Sequence, residues 1–544
     1  MISYTHGASS VPLIGETLGE LVDRVAREHP DRDAVVSVHE GVRLTYGQFA
    51  AACDELARGL MAIGVRHGDR VGIWSTNNAP WVITQFATAK IGAILVNVNP
   101  AYRTVELEYA LRQSGVSVLL SQAEYKTSAY LDMIEAVRDK LESLRTVIAI
   151  GGDARRAGDL RWDELRELAR TISAEELTKR QDVTQFDEAI NIQYTSGTTG
   201  FPKGATLSHH NILNNGYFIG EACRYTPSDR VCIPVPFYHC FGMVLGNLAC
   251  VTHGAAIVIP APTFDPQATL AAVELERCTS LYGVPTMFIA ELALPDFAKY
   301  DLSSLRTGIM AGAPCPAEVM KRVRSEMHMD EVTICYGMTE TSPVSFQTAV
   351  DDPVEKRVGT VGRVHPHVEV KIVDEHGRIV PRTVPGELCT RGYCVMLGYW
   401  DDPENTAASI DAARYMHTGD VAIMDEDGYV MISGRVKDMV IRGGENIYPR
   451  EIEEFLYTHP AIRDVSVVGV PDEHYGEQLC AWIILHEDAQ LAEEDVRVYC
   501  RGKIAHFKVP HYVRFTDAFP MTVTGKVQKY KLREAFSKEP AVTR

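Results

Sequence analysis

Between residues 70 and 120, short apolar runs alternate with amphipathic stretches, and this alternation constrains the fold more than any other feature of the chain. Arg70-Val-Gly-Ile-Trp reads as a strand, residues 80–91 as a helix, and Gly92-Ala-Ile-Leu-Val-Asn-Val as a second strand. A helix over residues 104–113 and a strand at Val116-Ser-Val-Leu-Leu continue the series. Strand–helix–strand alternation predicts an α/β fold built on mostly parallel sheets. Ahead of it, Thr17 and Glu20 form a capping box for a helix with Leu18, Leu21, Val22, Val25 and Ala26 on one stripe. From about residue 368 short strands alternate with turns such as Asp374-Glu-His-Gly and Asp425-Glu-Asp-Gly, a β-rich subdomain. Pro449 at the first position of a helix then opens a compact α+β unit. A chain of 544 residues exceeds one core. The expected division is a large N-terminal domain, residues 1–435, and a small C-terminal one, 436–544.

Ala189-Ile-Asn-Ile-Gln-Tyr reads as a further strand. It places Tyr194-Thr-Ser-Gly-Thr-Thr-Gly-Phe-Pro-Lys-Gly-Ala at a strand end, where open α/β sheets bind ligands. Gly197, Gly200 and Gly204 permit a tight path with N–H groups turned inward. Thr195, Ser196, Thr198 and Thr199 add hydroxyls and Lys203 an ammonium, together a cradle for a polyphosphate. A Walker A loop needs Gly-Lys-[Ser/Thr] entering a helix, whereas Pro202 precedes this lysine and Gly204 follows it. The bland alternative is a polar surface turn.

A net charge of −18 opposes nonspecific binding to nucleic acid or anionic lipid, so local cations must hold any polyanion. No apolar run approaches the roughly 18 residues of a membrane span, and the N-terminus lacks a signal peptide's basic and apolar blocks. Twelve cysteines without Cys-x-x-Cys spacing are expected as reduced thiols in a cytoplasm, in neither disulfides nor structural zinc.

Downstream, Tyr336-Gly-Met-Thr-Glu-Thr-Ser-Pro sets an aromatic ring, a hydroxyl and a carboxylate together. Tyr336 can stack on a base, Thr339 can bond a phosphate oxygen, and Glu340 can hold magnesium. His417-Thr-Gly-Asp ends in Asp420, a carboxylate at a strand start able to accept two ribose hydroxyls. Gly434-Arg-Val-Lys-Asp leads to Gly443-Gly444, where a ligand can pass close to the backbone, and Lys526 stands on a glycine-bearing tip. Taken singly, Glu340 reads equally as a helix cap, Asp420 as a turn residue, Gly443-Gly444 as a hairpin and Lys526 as a surface lysine.

In their order, and nearly residue for residue, these motifs resemble the adenylate-forming superfamily of acyl-CoA synthetases, luciferases and peptide-synthetase adenylation domains. The resemblance runs from about residue 17 to residue 536. Pro236-Phe-Tyr-His-Cys-Phe-Gly, Ala505-His-Phe-Lys-Val-Pro and Phe519-Pro-Met-Thr-Val-Thr-Gly-Lys make the chain most similar to medium-chain fatty acyl-CoA ligases of the family member 2 type. The resemblance implies that residues 195–204 hold the β- and γ-phosphates and Thr339 the α-phosphate. It implies Glu340 for magnesium, Ala313, Pro314 and Tyr336 around adenine, and Asp420 with Arg435 on ribose. Lys526 would bridge the acyl carboxylate and α-phosphate, and His239 would gate the acyl tunnel. Lys437 would be the hinge of a mobile C-terminal lid, and Gly443 and Gly444 would meet coenzyme A. Phe241, Gly242, Met243, Val284 and Met338 are expected to line an apolar acyl pocket, with Gly242 leaving room for the chain. The expected partners are ATP, a carboxylic acid and coenzyme A, acting on a cytoplasmic monomer or homodimer. Rival readings are an aryl-acid ligase, an enzyme that loads a carrier protein, and a non-catalytic nucleotide-binding protein of the same fold.

Overall fold

The computed structural model describes residues 1–195, 202–442, 445–472, 474–521 and 527–538. The chain divides into two compact units. The larger comprises Thr5–Val370 and Thr390–Met416, the smaller Met1–Tyr4, Lys371–Cys389 and the chain from His417 onward.

Two sheets dominate the larger unit. One has eight strands in the order Gly398–Tyr399, Lys203–Ser208, Ala189–Thr195, Ile94–Asn97, Arg70–Trp74, Val118–Gln122, Thr146–Ile150 and Leu160–Arg161. From Ala189–Thr195 to Leu160–Arg161 every pair is parallel; Lys203–Ser208 and Gly398–Tyr399 join antiparallel. The other has nine strands, and the six from Glu331–Gly337 to Asp33–Ser37 pair parallel. The helices expected at 80–91 and 104–113 are Ala79–Lys90 and Thr104–Ser114. Asn78 accepts the Trp81 N–H at 2.8 Å, and Pro80 occupies a first-turn position where a missing N–H is tolerated. The helix Ala79–Lys90 is buried along nearly its whole length. Its last residue, Lys90, is 1% exposed and ion-paired with Asp23 and Asp54, as a buried cation must be. The Thr17–Glu20 capping box opens the helix Leu18–Glu28.

The smaller unit takes in most of a five-stranded sheet ordered Tyr4–His6, Val368–Val373, Gly386–Gly392, Met416–Met424 and Val430–Arg435. It also holds a C-terminal sheet centred on the long hairpin of Ile462–Asp472 and Gly476–Leu485. Residue 435 falls inside this unit: the Arg450 guanidinium donates to the Ile432 carbonyl at 2.6 Å, tying the helix Pro449–Leu456 to the strand Val430–Arg435. No helix of the described residues is long and apolar enough to cross a membrane.

Candidate active site

The site is assembled on loops at strand ends. Thr195 ends one strand and faces Lys203, which begins the next, with the two strands antiparallel. The segment expected to cradle phosphate therefore connects two strands rather than a strand and a helix. Ser196, Gly197, Thr198, Thr199 and Gly200 lie outside the described residues. Gly204, expected in the turn, belongs to the second strand, opposite Tyr194, and its carbonyl accepts the Trp400 N–H at 2.7 Å.

Lys203 is held from two sides. Its ammonium donates to Asn405 Oδ1 at 2.6 Å and lies 5.1 Å from the centre of the Tyr399 ring. Asn405 is itself fixed by donation to Asp402 at 2.8 Å. The Tyr399 hydroxyl donates to Glu340 Oε1 at 2.8 Å. Burial and the Glu340 carboxylate push the Tyr399 phenol well above its ordinary pKa, so it stays a donor. Thr339 and Glu340 are both buried in the short turn Thr339–Thr341, directly after the strand Glu331–Gly337. The Glu340 side chain turns to Tyr399, which decides against a helix-cap role. Neither Tyr399 nor Asn405 was picked out by sequence reasoning.

Three neighbouring parallel strands bring the proposed adenine residues to one edge. Ser280–Gly283, Thr307–Ala311 and Glu331–Gly337 pair in register, with Gly283 beside Met310 and Ala311 beside Cys335. Their C-terminal ends carry Val284, then exposed Ala313 and Pro314, then half-buried Tyr336. A Cβ placed on Gly312, whose φ is +88°, would lie 3.2 Å from Val284, so these loops touch.

Among the residues expected to meet the acyl chain, His239 is half-buried and its backbone carbonyl accepts the N–H groups of Gly242 and Met243, both at 3.0 Å. Phe241–Leu248 follows as a π-helix, a form that recurs at functional sites. Phe241 packs against Tyr282, ring centres 5.9 Å apart. Met338 precedes the Thr339 turn and is half-buried.

One pocket expectation is corrected. Gly242 leaves no room for an acyl chain: a Cβ there would stand 2.4 Å from the Pro236 carbonyl oxygen, so the glycine serves close backbone packing. Met243 is fully buried, and its sulfur lies 3.5 Å from Asn97 Nδ2 and 3.6 Å from Gln193 Nε2.

In the smaller unit, Asp420 lies within the strand Met416–Met424, not at its start. It is paired across the sheet with Arg435, Nε to Oδ1 at 3.1 Å. Gly419, in the same strand just before it, has a left-handed φ of +67°, and its N–H donates to Glu387 Oε1 at 3.1 Å. Glu387, another residue absent from the sequence reading, also meets His417 Nδ1 at 2.9 Å. Lys437 occupies the short turn Val436–Asp438, where burial and then Arg435 lower its pKa. Asp438 is ion-paired with Arg533 at 3.1 Å. Gly443, Gly444 and Lys526 lie outside the described residues.

A family model for AMP-binding enzymes matches residues 22–400, and one for the AMP-binding enzyme C-terminal domain matches residues 451–526. The putative acyl-CoA synthetase YngI of Bacillus subtilis is 52% identical, the match covering 96% of this chain and 97% of that protein. The mitochondrial medium-chain acyl-CoA ligase ACSF2 of Danio rerio is 46% identical, over 99% of this chain and 91% of that protein. Among solved structures, the anthranilate CoA ligase AuaEII in complex with anthranoyl-AMP aligns with a TM-score of 0.84 at 27% identity, covering 96% of this chain and 98% of that one. A Mycobacterium tuberculosis fatty acyl CoA synthetase aligns at 0.74 and 28%, again over 96% and 98%. With the family model spanning well over half its length and relatives this similar end to end, the chain belongs to the AMP-binding enzyme family.

Proposed function

We propose that this chain is an AMP-forming acid–thiol ligase: it activates a carboxylic acid, a medium- to long-chain fatty acid, as an acyl-adenylate, then transfers the acyl group to coenzyme A. One observation carries the reading. Tyr399 joins Lys203 to Glu340, so a cation for phosphate oxygens and a carboxylate for their counter-ion share one rigid scaffold. In the first step the acid's carboxylate attacks the α-phosphorus of ATP and pyrophosphate leaves. In the second the coenzyme A thiol attacks the acyl carbon, AMP leaves, and the thiol proton passes to solvent. The first step brings two anions together, so the positive groups Lys203 and Lys526 would do most of the work.

Thr195 to Gly204 would hold the β- and γ-phosphates, Thr339 the α-phosphate, Ala313, Pro314 and Tyr336 the adenine, and Asp420 with Arg435 the ribose. A buried carboxylate with one oxygen satisfied by a phenol suits a hard cation that keeps most of its waters, so Glu340 would hold magnesium, which when bound neutralises phosphate charge. His239 would gate the acyl side, lined by Phe241, Val284 and Met338. Residues 436–544 would act as a lid hinged at Lys437 that brings Gly443 and Gly444 to coenzyme A. The two family models support this, since they leave Lys437 between their matched segments. Free thiols at all twelve cysteines support a cytoplasmic protein, and the net charge of −18 argues against nucleic-acid partners.

A chain-length series of carboxylic acids, read by coenzyme-A-dependent AMP release, tests the substrate. Peak activity on medium- to long-chain fatty acids is expected. Preference for aryl acids, or AMP release that requires a carrier protein instead of coenzyme A, would overturn it.

A further inference from the structure

The neighbouring strands Gly386–Gly392 and Met416–Met424 bring three metal-binding side chains of the smaller unit together. Glu387 and Cys389 are two residues apart on one strand and so share a face. His417 meets both from the next strand: its Nδ1 is 2.9 Å from Glu387 Oε2 and 3.5 Å from Cys389 Sγ. All three ligand atoms lie within 4.8 Å of one another. A single ring nitrogen carries at most one proton and serves one partner well, yet here a carboxylate oxygen and a sulfur converge on the same nitrogen. Tetrahedral zinc, with Zn–S about 2.3 Å and Zn–N and Zn–O about 2.0 Å, sets sulfur and nitrogen about 3.5 Å apart and nitrogen and oxygen about 3.3 Å apart. The two distances from the His417 nitrogen are within a few tenths of an ångström of that arrangement.

We propose that Glu387, Cys389 and His417 form a zinc site with three protein ligands and a water in the fourth position. The Gly419 N–H already holds Glu387 Oε1, which orients Oε2 as a single-oxygen ligand, as outer partners do in metal sites. Cys389 is fully buried, while the His417 and Glu387 side chains keep 32% and 26% exposure, so the open side that a water needs faces solvent. Thiolate and imidazole select zinc over magnesium or calcium. Binding releases the thiol proton and any proton on Nδ1 to solvent, and no redox change is involved. Because Oε1 stays on Gly419, the ion would brace the backbone next to Asp420 rather than displace it.

Zinc titration of the metal-free, reduced full-length protein against a competing chelator tests this, with Co²⁺ as a spectroscopic substitute. The expected result is one tightly bound equivalent, a thiolate-to-cobalt charge-transfer band in the wild type, and a raised melting temperature with zinc. Cys389→Ser and His417→Ala should each weaken binding by more than about 100-fold, beyond what loss of an outer partner causes. Cys315→Ser, at a half-exposed thiol elsewhere, should change nothing. The wild-type cobalt spectrum stands even if a variant fails to fold. Absence of the thiolate band, or zinc affinity equal in wild type and folded Cys389→Ser, would overturn the proposal.

Discussion

Tyr399 is the residue on which the proposed phosphate chemistry turns, and it was not legible in the sequence. It lies 59 positions from Glu340, and only the pairing of Ala205 with Tyr399 brings its hydroxyl there. Thr195, Lys203, Thr339 and Glu340 are the residues the sequence proposes, because each motif concentrates anion-binding or cation-binding groups within a few positions. Tyr399→Phe keeps the ring over Lys203 but removes a hydrogen bond to a charged group. Such a bond is worth about 1.5–3 kcal/mol, or roughly ten- to a hundredfold in rate. Acyl-adenylate formation should fall by that factor and need more magnesium; an unchanged magnesium profile would remove Tyr399 from the machinery. Gly242 misled for a related reason, since a missing side chain reads as space until the Pro236 carbonyl is seen against it. Gly242→Ala should destabilise the protein by about 1–3 kcal/mol and lower activity on every acid alike. A shifted chain-length preference in a well-folded variant would restore the tunnel role.

Elements were read best where local chemistry decides them. The Thr17 capping box, the proline-started helix Pro449–Leu456 and the buried strand Arg70–Trp74 all stand where propensity puts them. The π-helix Phe241–Leu248 was not legible, because a segment buried on all sides has no hydrophobic period to betray its winding. Nor was the Glu387–Cys389–His417 cluster: Cys389 and His417 are 28 residues apart, and the search for zinc spacing sees only local pairs. Helix ends also carry a pH dependence. His209 begins the helix His209–Ala222, and its Nδ1 accepts the Leu18 N–H at 3.0 Å, which requires a neutral ring. Burial pushes its pKa down from 6.5 to about 3. Below pH 6.5 the unfolded chain therefore binds a proton that the folded one does not, and stability falls as pH drops towards 3. The expected slope is about 1.4 kcal/mol per pH unit from this residue. Urea midpoints between pH 7 and 5 should fall accordingly and fall less in His209→Gln; equal slopes would contradict the assignment.

For the whole molecule, the parallel α/β architecture was legible from alternation, while the grouping of the β-rich segment with the C-terminal residues was not. Composition changes near residue 435, but contacts such as Arg450 to Ile432 carry the compact unit across that point. The proposed lid motion makes opposite demands of two lysines. Lys526→Ala should slow acyl-adenylate formation by about 100- to 1,000-fold, as losing one positioned charge does, and largely spare thioester formation from supplied acyl-adenylate. Lys437→Pro, with φ fixed near roughly −65°, should spare adenylation and block transfer. Equal loss of both half-reactions in either variant would contradict a rotating lid. Beneath these stands the claim that the chain makes an acyl-adenylate, and exchange of labelled pyrophosphate into ATP tests it most directly. Exchange that requires both magnesium and a fatty acid, proceeds without coenzyme A, and is lost in Glu340→Gln is the expected result. Exchange independent of any acid, or no exchange while ATP is cleaved to ADP, would contradict it.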